Sequence, residues 1–70
     1  MTAQQQLDAD IRVVQALAID IACIAGDVVQ VAPDVWAIHG FTAVDGDVLM
    51  AEFDSVERAT AVLRGLTFAP

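Results

Sequence analysis

Few residues in this sequence have both the side-chain type and the spacing that catalysis requires. His39 and Glu52 flank a turn signal at Asp45-Gly46, and a hairpin closed by that two-residue turn places them opposite each other. A carboxylate that orients an imidazole is the arrangement of a general acid/base pair. No nucleophile or second base stands at a recognisable spacing from them. An ion pair at a surface or an interface is therefore the simpler interpretation.

The remaining reactive side chains favour structural roles. Cys23 is the single cysteine, which excludes an internal disulfide and any all-cysteine metal site. It falls late in a predicted helix with no cation beside it to stabilise a thiolate, so we predict a buried structural cysteine. Asp45, Asp47 and Asp54 lack the spacing and the final glutamate of a calcium-binding loop. We expect no catalytic residue, no cofactor and no metal, and hence no enzyme.

Composition points to a protein partner. The 70 residues are 57% hydrophobic, which is more apolar surface than a monomer of this size readily hides. Ten acidic residues against three arginines and no lysine give a formal charge of −7. Direct nucleic-acid binding needs a cluster of cations, so this charge argues against it and favours a basic protein as partner. The chain shows neither a secretory signal nor a run of about 20 apolar residues, so we expect a cytoplasmic protein with no membrane span.

A first helix is predicted from Leu7 to Ala25 and follows a polar lead, residues 1–6, that should fray. Gly26 would end this helix in the left-handed C′ position. Branched residues then indicate a strand at 28–32, and Pro33-Asp34 suits a tight turn. The apolar stripe of the helix follows three- and four-residue steps and consists of Leu7, Ile11, Val14, Leu17, Ala18, Ile21, Ile24 and Ala25.

The stretch 35–53 predicts a β-hairpin, because two runs rich in branched and aromatic residues flank Asp45-Gly46. A type I′ turn at this pair sets Val44 opposite Asp47, and counting outward fixes the register. The resulting pairs are Thr42 with Leu49, Gly40 with Ala51, Ile38 with Phe53, Ala43 with Val48, Phe41 with Met50, and His39 with Glu52. Both faces are largely apolar, and a bulge at Gly40 would shift the pairs beyond it.

A second helix is expected at 55–64, where Asp54 and Glu57 form a capping-box-like start and Gly65 closes it. The segment from Val48 to Leu63, in which Glu-Phe-Asp-Ser-Val-Glu-Arg-Ala leads from a strand into this helix, resembles the strand-to-helix corner of small ferredoxin-like and dimeric α+β barrel domains. That resemblance covers about a quarter of the chain and implies no function. Residues 66–70 should form a short strand or a packed tail. The prediction is one α+β domain spanning residues 1–70, with both helices on one face of a three-stranded antiparallel meander.

Two helices in so short a chain are enough to cover one face of the sheet and hardly enough to cover both faces. The uncovered face should then bind a second copy or another protein, with a homodimer or an obligate complex as the result. Our leading hypothesis is a non-enzymatic acidic interaction module that inhibits, adapts or assembles with a larger protein. The predicted interaction face contains Trp36, His39, Phe41, Ala43, Val48, Met50 and Glu52.

Two alternative functions stay open. The first is a small-ligand-binding or catalytic dimeric α+β domain that uses His39 and Glu52 in a cleft. The second is an acidic mimic of nucleic acid that blocks a DNA-binding protein. The mimic requires its aspartates to line one side of the molecule, namely Asp8, Asp10, Asp20, Asp27, Asp34, Asp45 and Asp47.

Overall fold

The computed structural model describes residues 1–69, which form two helices and one antiparallel sheet. The elements in chain order are α1 (Ala3–Asp20), β1 (Ala25–Ala32), β2 (Val35–Thr42), β3 (Gly46–Phe53) and α2 (Val56–Arg64). The strands lie in the order β1-β2-β3, so the sheet is a meander. This confirms the predicted α+β architecture. Pro70, the last residue of the predicted tail, lies outside the described residues.

Helix α1 begins four residues earlier than the sequence suggested, because Thr2 caps it. The Thr2 hydroxyl accepts a hydrogen bond from the Gln5 amide at 3.1 Å, and the Thr2 amide donates to Gln5 Oε1 at 2.8 Å. This reciprocal capping box satisfies two amides that would otherwise lack partners at the helix start. The structure therefore includes residues 3–6, which the sequence analysis assigned to the polar lead, in α1.

Helix α1 also ends earlier, at Asp20, and Gly26 plays no part in its termination. Ala22 adopts the left-handed conformation with φ 52° just after the helix. Gly26 instead lies within β1, where a Cβ atom would stand 2.8 Å from the Phe68 ring. The glycine permits this close approach of the tail, and its predicted role in ending α1 is wrong.

The turn between β2 and β3 differs from the predicted type I′ turn. It contains three residues, 43–45, and the first pair of the ladder is Thr42 with Gly46. A type I′ turn needs positive φ at both central residues. Among residues 43–46, only Gly46, the first residue of β3, has a positive φ, which is 69°. The Thr42 hydroxyl stabilises the loop by accepting from the Asp45 amide at 2.9 Å.

A bulge in β3 changes the register a second time. Ile38 pairs with Ala51 while His39 pairs with Leu49, so Met50 is the extra residue. At a bulge the alternation of side chains is interrupted, and two successive residues face nearly the same side. Both Met50 and Ala51 accordingly contact the core beneath the helices. All the pairs predicted from a regular two-residue hairpin are therefore wrong.

Helix α2 forms almost as predicted, but its N-cap is Ser55 and not Asp54. The Ser55 hydroxyl accepts from the Arg58 amide at 3.2 Å. Gly65 has an ordinary right-handed φ of −82°, and a Cβ atom there would overlap Ile11 of α1. The segment after α2 is a packed tail in which the Ala69 amide donates to the Cys23 carbonyl at 3.1 Å.

Both helices pack on the same face of the sheet and enclose one hydrophobic core. Ile38 of β2 and Val62 of α2 are fully buried at its centre. No helix within residues 1–69 has the length and hydropathy needed to cross a membrane. The buried members of the core are Val14, Ala18, Cys23, Ile38, Met50, Phe53, Ala59 and Val62.

Candidate interaction face

The sheet has a second face, which no helix covers. Gly26 and Gly40 pair across β1 and β2, and a Cβ atom on either would point into the core. Residues one position away on these strands therefore point to the opposite side. We call this side the open face, and it consists of Ala25, Asp27 and Val29 of β1, Ala37, His39 and Phe41 of β2, and Asp47, Leu49 and Glu52 of β3.

The register arranges these side chains in three rows across the strands. One row contains Ala25, Phe41 and Asp47, the next contains Asp27, His39 and Leu49, and the last contains Val29, Ala37 and Glu52. The centre of the face is thus apolar except for His39, while each outer strand contributes carboxylates.

Large apolar side chains on the open face are in contact with solvent. Phe41 is 46% exposed, Leu49 is 53% exposed and Val29 is 40% exposed. Ala37 is fully buried although it lies outside the core cluster beneath the helices, because a methyl group at the centre of a sheet sits below its larger neighbours. Exposed apolar side chains gathered on one flat surface are typical of a contact site for another macromolecule.

The carboxylates of the open face have no arginine partner among the described residues. Asp27 accepts a hydrogen bond from the neighbouring Val28 amide at 2.8 Å. The ion pairs of the described chain belong to Arg58, which contacts Asp10 at 3.0 Å and Asp54 at 3.8 Å on the helix side. Arg58 also lies 5.2 Å from the centre of the Phe53 ring. The charges of the open face are therefore available to an external group.

A shallow depression of about 220 Å³ lies on the open face between β1 and the start of β3. Asp27 and Asp47 line it from the outer strands, and His39 and Phe41 line it from the central strand. Its volume is below the roughly 300–1,000 Å³ of pockets that bind small organic ligands. The depression fits one protruding side chain better than it fits a free metabolite.

Only some residues of the predicted interaction face lie together on one side of the sheet. His39, Phe41 and Glu52 lie on the open face, but His39 is opposite Leu49 and Glu52 is opposite Ala37. No ion pair joins His39 to Glu52 among the described contacts, so their predicted pairing is wrong. The catalytic alternative thereby loses the arrangement on which it depended.

The other predicted members lie elsewhere. Met50 is in the core with 9% exposure, and Trp36 packs against the same core. Val48 is opposite Gly40 and so belongs to the helix side, whereas Ala43 is in the turn. Val29 and Leu49, which were not predicted from the sequence, occupy the open face in their place. The position of Leu49 could have been inferred from Thr42. The Thr42 hydroxyl closes a three-residue loop, and this loop shifts the register of β3.

The aspartates do not share one side of the molecule, as the mimic of nucleic acid would require. Asp8, Asp10 and Asp20 belong to α1, which packs on the sheet face opposite the open face. Asp27 and Asp47 lie on the open face. The negative charge is thus distributed over both layers.

Cys23 is a buried structural residue, as predicted. It is 1% exposed, its thiol donates to the Ala25 carbonyl at 3.0 Å, and its sulfur lies 4.0 Å from Met50 Sδ. Within residues 1–69, no three acidic, histidine or cysteine side chains gather as metal ligands would.

Comparison of the chain with protein-family models, with curated proteins and with solved structures finds no match. The function must therefore be argued from the geometry alone.

Proposed function

We propose that this protein is a non-enzymatic, acidic interaction module whose open face is covered by another protein chain. The chain that covers it is either a second copy, giving a homodimer, or a larger protein that the module inhibits, adapts or helps to assemble. The observation that carries this proposal is the exposure of Val29, Phe41 and Leu49 together on a sheet face without a helix.

The energetics of this face support association. Fully burying one large apolar side chain contributes roughly 1.5–3 kcal/mol. Because Phe41 and Leu49 are each about half exposed, a partner would gain about half of that amount from each. Association must also offset lost rotational and translational freedom, so a partner needs further contacts beyond these residues. The flat sheet provides them through Val29 and the polar rim.

The proposal is tested by removing the apolar side chains while keeping the fold. The double variant Phe41→Ser/Leu49→Ser is compared with Val13→Ser/Ile19→Ser, whose residues are 71% and 72% exposed on the helix side. Sedimentation velocity at micromolar concentration reports the oligomeric state, and an apolar fluorescent dye reports uncovered surface. Circular dichroism verifies that each variant is folded.

Two results agree with the proposal. A dimer that dissociates in the open-face variant, but not in the helix-side variant, would identify a second copy as the covering chain. A monomer whose dye binding is lost only in the open-face variant would leave the face free for a different protein. A monomer that binds no dye, or dye binding that the open-face variant retains, would refute the proposal.

A further inference from the structure

The charges of the molecule are divided unequally between its two layers. Residues 25–53, which contain the sheet and its turns, include five acidic residues and no arginine or lysine, a formal charge of −5. The rest of the chain includes five acidic residues and three arginines, a charge of −2. Arg12, Arg58 and Arg64 all belong to the helices, which pack on the face opposite the open face.

This division argues against a second copy on the open face. Stacking two such faces would bring together Asp27, Asp47 and Glu52 from each copy, six carboxylates in all, without an arginine or lysine between them. Like charges brought together across an interface disfavour association, and removing them from water increases the penalty. A partner with the opposite charge would gain from the same carboxylates.

We propose that the open face docks a basic amphipathic segment of a different protein. The apolar side chains of that segment cover Val29, Phe41 and Leu49, and one of its arginine or lysine side chains enters the depression between Asp27 and Asp47. This inference rests on the proposed function, and it specifies the chemistry of the partner.

The depression has the features that a cationic side chain requires. Asp27 and Asp47 are both exposed and line it, and neither forms an ion pair with a described residue of the chain. Phe41, which is 46% exposed, provides an aromatic surface beside them. A guanidinium or ammonium group is attracted both to an aromatic face and to carboxylates, and arginine forms such contacts most often. An apolar face flanked by carboxylates thus selects an apolar segment flanked by cations.

The experiment titrates the full chain, labelled with nitrogen-15, with three synthetic peptides while the amide resonances are followed. The first peptide is an amphipathic helix of leucine and arginine. The second has glutamate in place of every arginine, and the third has the composition of the first in an order that mixes leucine and arginine around the helix. We expect saturable shifts from the first peptide, centred on Asp27, His39, Phe41 and Leu49.

Matched charge variants separate the site from the net charge. Asp27→Asn/Asp47→Asn removes two carboxylates from the depression, whereas Asp8→Asn/Asp20→Asn removes two exposed carboxylates from α1. Both variants change the net charge equally. We expect the affinity for the leucine–arginine peptide to fall about three- to tenfold in the first variant and by less than about twofold in the second.

The possible results distinguish this inference from the proposed function. No saturable binding of the leucine–arginine peptide, shifts centred on the helices, or equal losses in the two charge variants would overturn the basic partner. Equal binding of the glutamate peptide or of the mixed-order peptide would overturn it as well. So would a dimer of the wild-type chain that the Phe41→Ser/Leu49→Ser variant dissociates, although that result would support the proposed function.

Discussion

Replacing Gly40 with alanine should destabilise the protein through a steric conflict with Met50 and Cys23 in the core. A Cβ atom at Gly40 would overlap Met50 Sδ and lie 2.7 Å from Cys23 Sγ. The thioether of Met50 ends a flexible side chain and can rotate away. The Cys23 sulfur is one bond from its Cβ in a fully packed region, so it has little freedom to move.

The expected cost of Gly40→Ala is about 2 kcal/mol, within the 1–3 kcal/mol typical of overpacking a core. In a domain of this size, that cost lowers Tm by about 8–16 °C. The matched control is Gly46→Ala, because no atom lies within 4 Å of a Cβ there but the residue has φ 69°. Its cost of about 1–2 kcal/mol should come from the backbone conformation alone.

The steric conflict at Gly40 and the backbone conformation at Gly46 are distinguished by making each substitution in a Cys23→Ala background as well. Removing the sulfur makes room for the new methyl group, so Gly40→Ala should cost at least about 1 kcal/mol less there than in the wild type. Gly46→Ala should cost the same in both backgrounds, since the two sites share no contact. Urea unfolding, followed by Trp36 fluorescence and by circular dichroism, gives the four free-energy differences.

Additive effects of Gly40→Ala and Cys23→Ala would refute this reasoning. They would mean that position 40 does not point toward Cys23, and the assignment of His39 and Leu49 to the open face would fail with it. The measurement of a core contact is thus also a test of the candidate interaction face.

Two helix-terminus predictions accompany this one. Thr2→Ala should lower the free energy of unfolding by about 1 kcal/mol because it removes the capping box, and circular dichroism should show a loss of helical signal. An equal effect of Thr60→Ala, a substitution inside α2, would argue against capping as the cause. Ala22→Gly should stabilise the chain by about 1 kcal/mol, because glycine adopts φ 52° without strain, while Ala9→Gly within α1 should destabilise it by a similar amount. A decrease of the urea midpoint in Ala22→Gly would show that this position is not left-handed.

The element types could be read from the sequence because their signals are local. The spacing of apolar residues predicted both helices, and the branched residues with Pro33-Asp34 predicted the first two strands and their turn. The single uncovered sheet face also followed from counting, since two short helices cover one side. Each of these features depends on the residues of one segment or on the size of the chain.

The membership of the open face could not be read in the same way, because it depends on the register. The loop lies at residues 43–45 instead of 45–46, and together with the bulge at Met50 this reassigns β3. The loop depends on a local contact of the Thr42 hydroxyl, but Met50 at the bulge contacts Cys23 from a distant segment, and such a contact is not visible in a local pattern. The position of the loop places Met50, which the regular register had put beside Phe41, in the core, and the bulge places Glu52 on the open face.

The unequal division of charge between the layers also affects how the molecule approaches a partner. The sheet and its turns carry −5 and the rest of the chain, with both helices, carries −2, so the negative charge is distributed unequally across the molecule. In the field of a positively charged surface, the resulting torque turns the open face forward while the two molecules are still separated by solvent. Orientation before contact accelerates association and weakens as salt shortens the Debye length, so the arginines on the helices would influence the rate of association with the proposed basic partner without touching it.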